Sequence, residues 1–342
     1  MFFYLAMTDY YRRRGQKWRR EKAEKQGKSL FALIIVVILI FASVNGLLKS
    51  ISFKRSVENS KWDGKVPFVT ALGSFPASLF IYNPDTKNII FLKFPDDLYF
   101  ASGVEEKPLE RLGDVARTRD GNKFSEVLSL NTGVKIENYL FPKDELKVDE
   151  SGTQKFFKDF ASITNPISIL VGGSFKGSDN NVERYDALRL WWQVKGLRLN
   201  QIKIADFGDI SEEVVVDKES KVSGVDTETL QYKMREILQS RIIRESGFSV
   251  KIINASGSND AGKLAVNFVS SSGLEVISED RAEDAEEKTK IISYDKSGLV
   301  PKYLARMFGC DIVTAQKSTQ EEGKEKEITL FLGHDFANSY FK

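Results

Sequence analysis

From Ser29 to Leu48 the chain reads SLFALIIVVILIFASVNGLL, twenty residues without a charge. At about 1.5 Å of rise per residue, a helix of that length spans roughly the 30 Å hydrocarbon core of a bilayer, so the pattern predicts a transmembrane helix. Beyond it the pattern changes period. Val66–Leu72 is apolar, and Ser78–Tyr82 and Asn88–Phe94 are β-rich runs joined by Asn83-Pro84-Asp85-Thr86-Lys87, which has turn chemistry at nearly every position. Lys123–Leu130 has helical spacing at Phe124, Val127 and Leu128, stopped by Asn131-Thr132-Gly133. Ile136–Phe141 follows as a strand, Val182–Lys195 as a helix with Tyr185, Leu188, Trp192 and Val194 on one side, and Gln201–Phe207 as a strand.

The charged, small-residue stretch Glu212–Gly224 reads as a linker. A helix is expected from about Thr227, carrying Leu230, Met234, Ile237, Leu238 and Ile242 to a stop at Gly247. A second set then opens: strand Phe248–Ile252, a turn at Asn254–Asn259, and a helix bearing Leu264, Ala265, Phe268 and Val269 that Gly273 breaks. Strands at Leu274–Ile277, Thr289–Tyr294 and Glu327–Leu332 and a helix at Val300–Phe308 complete it, with Thr314–Lys326 as an exposed loop. Strands alternating with helices predict α/β architecture. The expected order is 1–28 a basic cytoplasmic segment, 29–48 the transmembrane helix, 49–65 a membrane-proximal connector, 66–211 and 247–342 two extracytoplasmic α/β domains, and 212–246 a linker and helix between them.

Charge sets the orientation. Tyr10–Lys28 holds nine Lys/Arg against Glu21 and Glu24, while Lys49–Lys65 holds five against Glu58 and Asp63. The more basic flank stays cytoplasmic, which places nearly 300 residues outside a cell membrane crossed once. A cleaved signal peptide is the alternative, but its basic region would be long and no A-x-A site follows. The apolar tip MFFYLA precedes the basic block; it would be lost if Met7 rather than Met1 is the start, or would rest in the inner leaflet. The net charge of +2 conceals about +6 to +7 in the first 28 residues, so the exported part is mildly acidic. That points to anionic membrane lipids as partners of the basic block and away from nucleic acid.

One cysteine, Cys310, excludes an intrachain disulfide framework, and one histidine, His334, removes His-based metal sites and a Ser-His-Asp triad. Cys310, after Gly309, is simplest as a small apolar residue at a helix end.

Five segments, Val250–Gly257 (VKIINASG), Gly273-Leu274-Glu275-Val276, Thr289–Tyr294 (TKIISY), Leu304-Ala305 to Gly309, and Ile328–Phe336 (ITLFLGHDF), together resemble the LytR C-terminal domain that accompanies envelope proteins of the LytR–CpsA–Psr family. Asn254, Gly257, Gly273, Gly333 and Asp335 are the motif positions. More weakly, Asn83–Lys87 with Ile89–Pro95 and Asp97, followed by Leu130–Leu140 (LNTGVKIENYL), is similar to the family's catalytic domain. The resemblance implies enzymes that move a glycan from a polyprenyl-pyrophosphate carrier to the wall, with arginines on the pyrophosphate and acids placing Mg²⁺. The chain departs from that pattern where it matters. The family's Pro-Arg-Asp reads Pro95-Asp96-Asp97. The acid between its first two strands falls in Ser74-Phe75-Pro76-Ala77. Its arginine-rich stretch has no clear counterpart, because Gly172–Asn181 leads directly into an aromatic helix. An acid in place of an arginine repels a pyrophosphate.

Several groups invite chemistry and have plain alternatives. Asp96-Asp97 offers adjacent carboxylates to a cation, or is a solvated loop pair. Arg111, Arg117 and Arg119 offer a phosphate clamp, or an ion-paired surface with Asp114 and Asp120. Arg184 and Arg189 lie about 140° apart on a helix, poor geometry for sharing a ligand. Gly172-Gly173-Ser174 and Lys176-Gly177-Ser178 run in the wrong order for a phosphate loop. Trp191-Trp192 is a sugar platform, an interfacial belt, or core. Asn254–Gly257 is an anion site at a helix start, or a turn, and His334-Asp335 reads as a turn capped by Asp335.

The function expected is a membrane-anchored binding or scaffold component of bacterial envelope or surface-glycan assembly, without catalysis and without a cofactor or metal. A working glycan phosphotransferase, which would need Mg²⁺, and an envelope-anchored regulator are the other readings. Candidate partners are membrane lipids, a polyprenyl-linked glycan, peptidoglycan or another envelope protein.

Overall fold

The computed structural model describes residues 54–101, 109–173, 175, 177–207, 210–217, 220–315 and 326–341. The chain divides into two compact units, Met1–Glu58 and Asn59–Lys342. The expected crossing at Ser29–Leu48 and most of the expected loop Thr314–Lys326 lie outside the described residues. Among those described, no helix is long and apolar enough to cross a membrane.

The unit from Asn59 opens with an antiparallel meander: β1 (Phe68–Leu72), β2 (Ser78–Asn83) and β3 (Asn88–Lys93). The β2–β3 turn closes where Asp85 N–H donates to Asn83 Oδ1 at 2.9 Å, and Lys87 takes φ 51°. Every residue of β2 is buried, Leu79 and Ile81 in one apolar cluster and Phe80 and Tyr82 in another. A strand covered on both faces reads as continuously apolar, which is why this hairpin shows so clearly in the sequence.

Next come β4 (Tyr99–Ala101), β5 (Leu109–Arg111), α1 (Leu112–Arg117) and α2 (Gly121–Thr132). The α2 start is capped by Asp120, which accepts from Asn122 and Lys123 N–H, and its end by Gly133 at φ 63°. Then follow β6 (Asn138–Phe141), α3 (Glu150–Ala161), α4 (Asn165–Gly172), β7 (Asp179–Asn180), α5 (Arg184–Val194) and β8 (Ile202–Asp206). The resulting six-stranded sheet runs β7-β6-β1-β2-β3-β8, with β6 parallel to β1 and β8 parallel to β3. In α5 the buried line is Ala187, Leu190 and Val194, so the expected apolar side is corrected. Trp192 points outward at 66% exposure.

The expected linker is a hairpin. β9 (Ser211–Asp217) and β10 (Ser220–Val225) pair antiparallel, and β10 lies parallel to β4 in a four-stranded sheet β5-β4-β10-β9. A two-stranded ribbon is marginal alone, and its support comes from β4, more than a hundred residues earlier. α6 (Thr227–Leu238) also stops sooner than Gly247. Gln239 is extended (ψ 118°), Ser240 N–H donates to Ser272 O at 3.3 Å, and a short α7 (Arg241–Arg244) buries Ile243 while Ile242 stays 41% exposed.

The remainder is β11 (Ser249–Asn254), α8 (Asn259–Ser271), β12 (Glu275–Arg281), β13 (Lys290–Ser293), α9 (Leu299–Phe308), β14 (Asp311–Thr314), β15 (Glu327–Leu332) and α10 (His334–Tyr340). Its five-stranded sheet is ordered β12-β11-β15-β13-β14, with only the β13–β15 pair antiparallel. β11 and β15 alternate half-buried and buried positions. The His334-Asp335 turn is corrected to the first turn of α10, whose Phe336 packs 5.3 Å from Phe308, with Tyr340 5.7 Å from Phe268, ring centroid to centroid. One buried cluster includes Trp62, Phe68 and Phe91 as well as Val250, Phe268 and Phe336, so the apolar core is continuous across the unit.

Candidate functional site

Two of the segments in which the sequence departs from the envelope family are brought together. Phe94 N–H donates to Ala77 O at 3.0 Å, and Ala77 N–H donates to Asp96 Oδ1 at 3.3 Å. The start of α1 sits on the same corner: a Cβ at Gly113 would come within 2.9 Å of Asp96 O. Asp96 is thus half-buried and holds a loop, while Asp97 is exposed. Mg²⁺ takes one or two carboxylates and completes its shell with water and substrate phosphate. One Asp96 oxygen is already engaged, and no group of three His, Cys, Asp or Glu side chains gathers to hold a cation among the described residues.

Arg117, Arg119 and Arg189 have partners of their own. Arg117 pairs with Asp114 at 2.9 Å, both side chains more than half exposed. Arg119, at φ 56°, donates to Phe141 O at 3.3 Å and Pro142 O at 3.4 Å and lies 5.5 Å from the Phe141 ring centroid. Lys123–Glu110 and Lys93–Asp206 add pairs at 2.6 and 2.7 Å. Alternating signs in the sequence become ion pairs in space, each of small worth at a surface. Arg189 pairs loosely with Asp186 at 3.9 Å and lies 4.6 Å from the Tyr185 ring centroid.

Four of the five C-terminal motif positions meet at the ends of β11 and β15. Asn254 Nδ2 donates to Ser258 O at 2.8 Å, and its Oδ1 accepts from Ser256 N–H and Oγ. Gly257 takes φ 77°, and a Cβ there would lie 3.4 Å from His334 Cε1. A Cβ at Gly333 would reach the Lys288–Thr289 backbone at 2.5–2.7 Å. Asp335 Oδ1 accepts from Thr289 N–H (2.9 Å), Thr289 Oγ1 (2.6 Å) and Phe336 N–H (2.8 Å). The fifth, Gly273 at φ 97°, lies apart, near Ser240. Asn254 thus braces the turn after β11, and Asp335 ties the start of α10 to Thr289. Cys310 is half-buried against the core, and burial pushes its thiol up to about 12, with Asp335 and Asp311 adding to the effect.

Where the two sheet systems meet, Lys135 Nζ donates to Tyr340 Oη at 2.6 Å, and Ser271 Oγ donates to Gly133 O at 2.9 Å. Burial holds the Lys135 ammonium below the usual lysine range despite Glu137, and pushes the Tyr340 and Tyr303 phenols up. A small cavity of about 120 Å³ lies here, bordered by Trp62, Lys135, Tyr303 and Arg306.

A cleft of about 690 Å³ runs along α3, at residues the sequence pattern does not single out. Its floor is aromatic: Phe160 and Phe175 stack at 4.9 Å and Phe156 and Phe175 at 6.4 Å. Its rim carries Lys143, Lys147 and Lys155 with Asp144, Asp149 and Asp159. Hydrogen bonds from Gly152 N–H and Ser151 hold the Asp149 carboxyl below the usual range. The signal was present: Asp149 as a cap, then Phe156, Phe157 and Phe160 at helical spacing. Its volume is in the range of small-ligand sites, while its lining is mostly polar and charged around the aromatic floor.

Residues 247–336 match the family described as LytR cell envelope-related transcriptional attenuator, the LytR C-terminal domain. The chain therefore carries a LytR C-terminal domain, as the motif spacing implied. No curated protein matches the chain. Similar solved structures include Bacillus subtilis TagV (11% identity, 50% of this chain and 97% of that one, TM-score 0.37). TagU from the same organism gives 11%, 51%, 96% and 0.34, and TagT 11%, 52%, 91% and 0.34. At these values the likeness is distant and says nothing of chemistry.

Proposed function

We propose that the chain is a membrane-anchored, outward-facing binding or scaffold component of cell-envelope assembly, in which residues 66–211 are a LytR–CpsA–Psr-like domain that has lost phosphotransfer. The observation that carries this is the engagement of Arg119 by the Phe141 and Pro142 carbonyls, with Asp96 at the position where the resemblance calls for an arginine. A pyrophosphate needs convergent cations, and here the charges pair with one another. The aromatic floor and mixed polar rim of the α3 cleft suit a polar, ring-containing ligand such as an envelope glycan. The uncharged Ser29–Leu48 span and its basic flank supply the anchor and the orientation.

The test is transfer of glycan from a polyprenyl-pyrophosphate donor by the purified protein, with and without Mg²⁺, together with mass spectrometry of copurified lipid. The expected result is no transfer. Turnover that Asp96→Ala or Asp97→Ala abolishes would replace this reading with a phosphotransferase.

A further inference from the structure

Helix α4 buries Ile169 and leaves its other large apolar residues open. Ile169 is fully buried, while Ile163, Ile167, Leu170 and Val171 are 89%, 66%, 42% and 58% exposed. Within the helix the spacing of Ile167, Leu170 and Val171 puts these three on one face, and Ile163 stands in the turn that leads into it. That face continues onto α5. Trp191 Nε1 donates to Ser162 O at 3.0 Å, beside Ile163, and the Trp191 and Trp192 rings lie 6.2 Å apart, so the exposed Trp192 borders the same surface. Lys195 Nζ sits 3.3 Å from the Trp192 ring centroid, and Leu199, 42% exposed, opens the short 3-10 turn that follows α5. Large apolar side chains at such exposure are a binding surface of some kind.

Charge distinguishes the occupant. Residues 1–58 hold twelve Lys/Arg and four Asp/Glu of a chain that is +2 overall, which leaves 59–342 at −6. Yet neither Phe160–Gly173 nor Ala187–Ala205 contains a single Asp or Glu, and the second carries Lys195, Arg198 and Lys203, all exposed. These acid-free stretches lie in a unit that is acidic overall. Aliphatic residues flanked by tryptophan and lysine, without acids, are the composition that partitions into the interface of an anionic bilayer. Chain length adds to this. The uncharged segment ends at Leu48 and the folded unit begins at Asn59, so Lys49–Glu58 intervenes. Ten residues reach about 35 Å at most. Tethered so close, a face of weak intrinsic affinity is held at high effective concentration.

We propose that the α4–Trp192 face is a membrane foot that rests in the outer leaflet of an anionic bilayer and holds the unit against it. The proposal rests on the anchored, outward-facing reading, and the experiment separates the two. The full chain is reconstituted in vesicles of phosphatidylcholine with a third phosphatidylglycerol, carrying an environment-sensitive label at Ile167→Cys in a Cys310→Ser background. A second preparation carries the label at Ile277→Cys, an exposed apolar position on β12. Lipids bearing a nitroxide on the acyl chain should quench the label at 167 about two-fold or more over that at 277, and Trp192→Ser with Ile163→Ser should remove the difference. Protein retained in the vesicles after alkaline carbonate but quenched equally at both positions overturns the foot and leaves the anchor standing. Protein released by carbonate overturns both. A label at 167 that is shielded from water but not quenched, with crosslinking between copies, shows the face to be a contact with a second chain and also overturns the foot.

Discussion

Lys135 and Tyr340, 205 residues apart, share a hydrogen bond of 2.6 Å, and the ammonium lies 4.9 Å from the phenol ring centroid. The bond joins the turn after α2 to the last helix and does so beside a small cavity, where water competes poorly. Tyr340→Phe is expected to cost about 1–2 kcal/mol, the range for a hydrogen bond to a charged group with some exposure left. Combined with Lys135→Met the loss should be smaller than the sum of the two, because each removes the same bond. Urea unfolding of the single and double variants measures this.

The same pair gives a pH signature. The Lys135 pKa is held below its ordinary 10.5 in the folded state, so between the two values the unfolded chain binds more protons and stability rises with pH. The Tyr340 and Tyr303 phenols are raised above 10.0, so above that pH the unfolded chain binds fewer protons and stability falls. Lys135→Met should abolish the rise and keep the fall, and Tyr340→Phe should soften the fall. Denaturation midpoints across alkaline pH would show it, and parallel curves for all three proteins would refute the assignment.

The segment from Val225 to Lys342 contains a complete five-stranded sheet with α8, α9 and α10. It is expected to fold alone as a soluble monomer, with lower stability than in the whole chain, since Ser271 and Tyr340 then lose their partners at Gly133 and Lys135. An unfolded fragment by circular dichroism would mean that the continuous core is indispensable to both halves. Within it Gly273 stands at φ 97°, where a β-branched residue is strained, so Gly273→Val should cost about 1–2 kcal/mol or more.

Orientation is tested by proteolysis. Protease added to intact cells or spheroplasts should digest the chain from about Lys54 onward, since the Lys/Arg excess precedes Ser29. Survival of a fragment containing Gly247–Lys342 inside sealed cells would remove the outward-facing reading and the function built on it.

Asp96→Arg alone is expected not to create transfer activity. Each charge-assisted contact to a phosphate contributes about 1.5–3 kcal/mol, and one new cation cannot replace a missing set. The substitution also removes the Ala77 N–H acceptor. Binding of a polyprenyl pyrophosphate, followed by quenching or mass spectrometry, should stay at least about 100-fold weaker than at a site with its arginines. A single substitution that restores turnover would show the remaining ligands to be in place.

The sequence alone determined the elements that bury themselves by local pattern. The β2–β3 hairpin, α2 with its Asp120 cap and Gly133 end, and the β11–α8–β12 run all follow from periodicity and turn residues, because each carries its own turn or stop signal and its own apolar face. It also determined the spacing that identified the C-terminal domain. Tertiary structure decided what depends on a distant partner. The β9–β10 hairpin looks like a linker until β4 supplies the neighbour that completes its ladder. α6 ends at Leu238 because Ser240 meets Ser272, and α10 forms where Phe308 and Phe268 receive Phe336 and Tyr340. Candidate chemistry divided along the same line. The substitutions at Asp96 and at Ser74–Ala77 were legible one by one, but only the fold joined them through Ala77 N–H and turned Arg119 toward Phe141. Side-chain direction is likewise invisible in composition: Trp191 and Trp192 are adjacent letters, and the packing of α5 through Ala187, Leu190 and Val194 places one ring on Ser162 and the other in solvent.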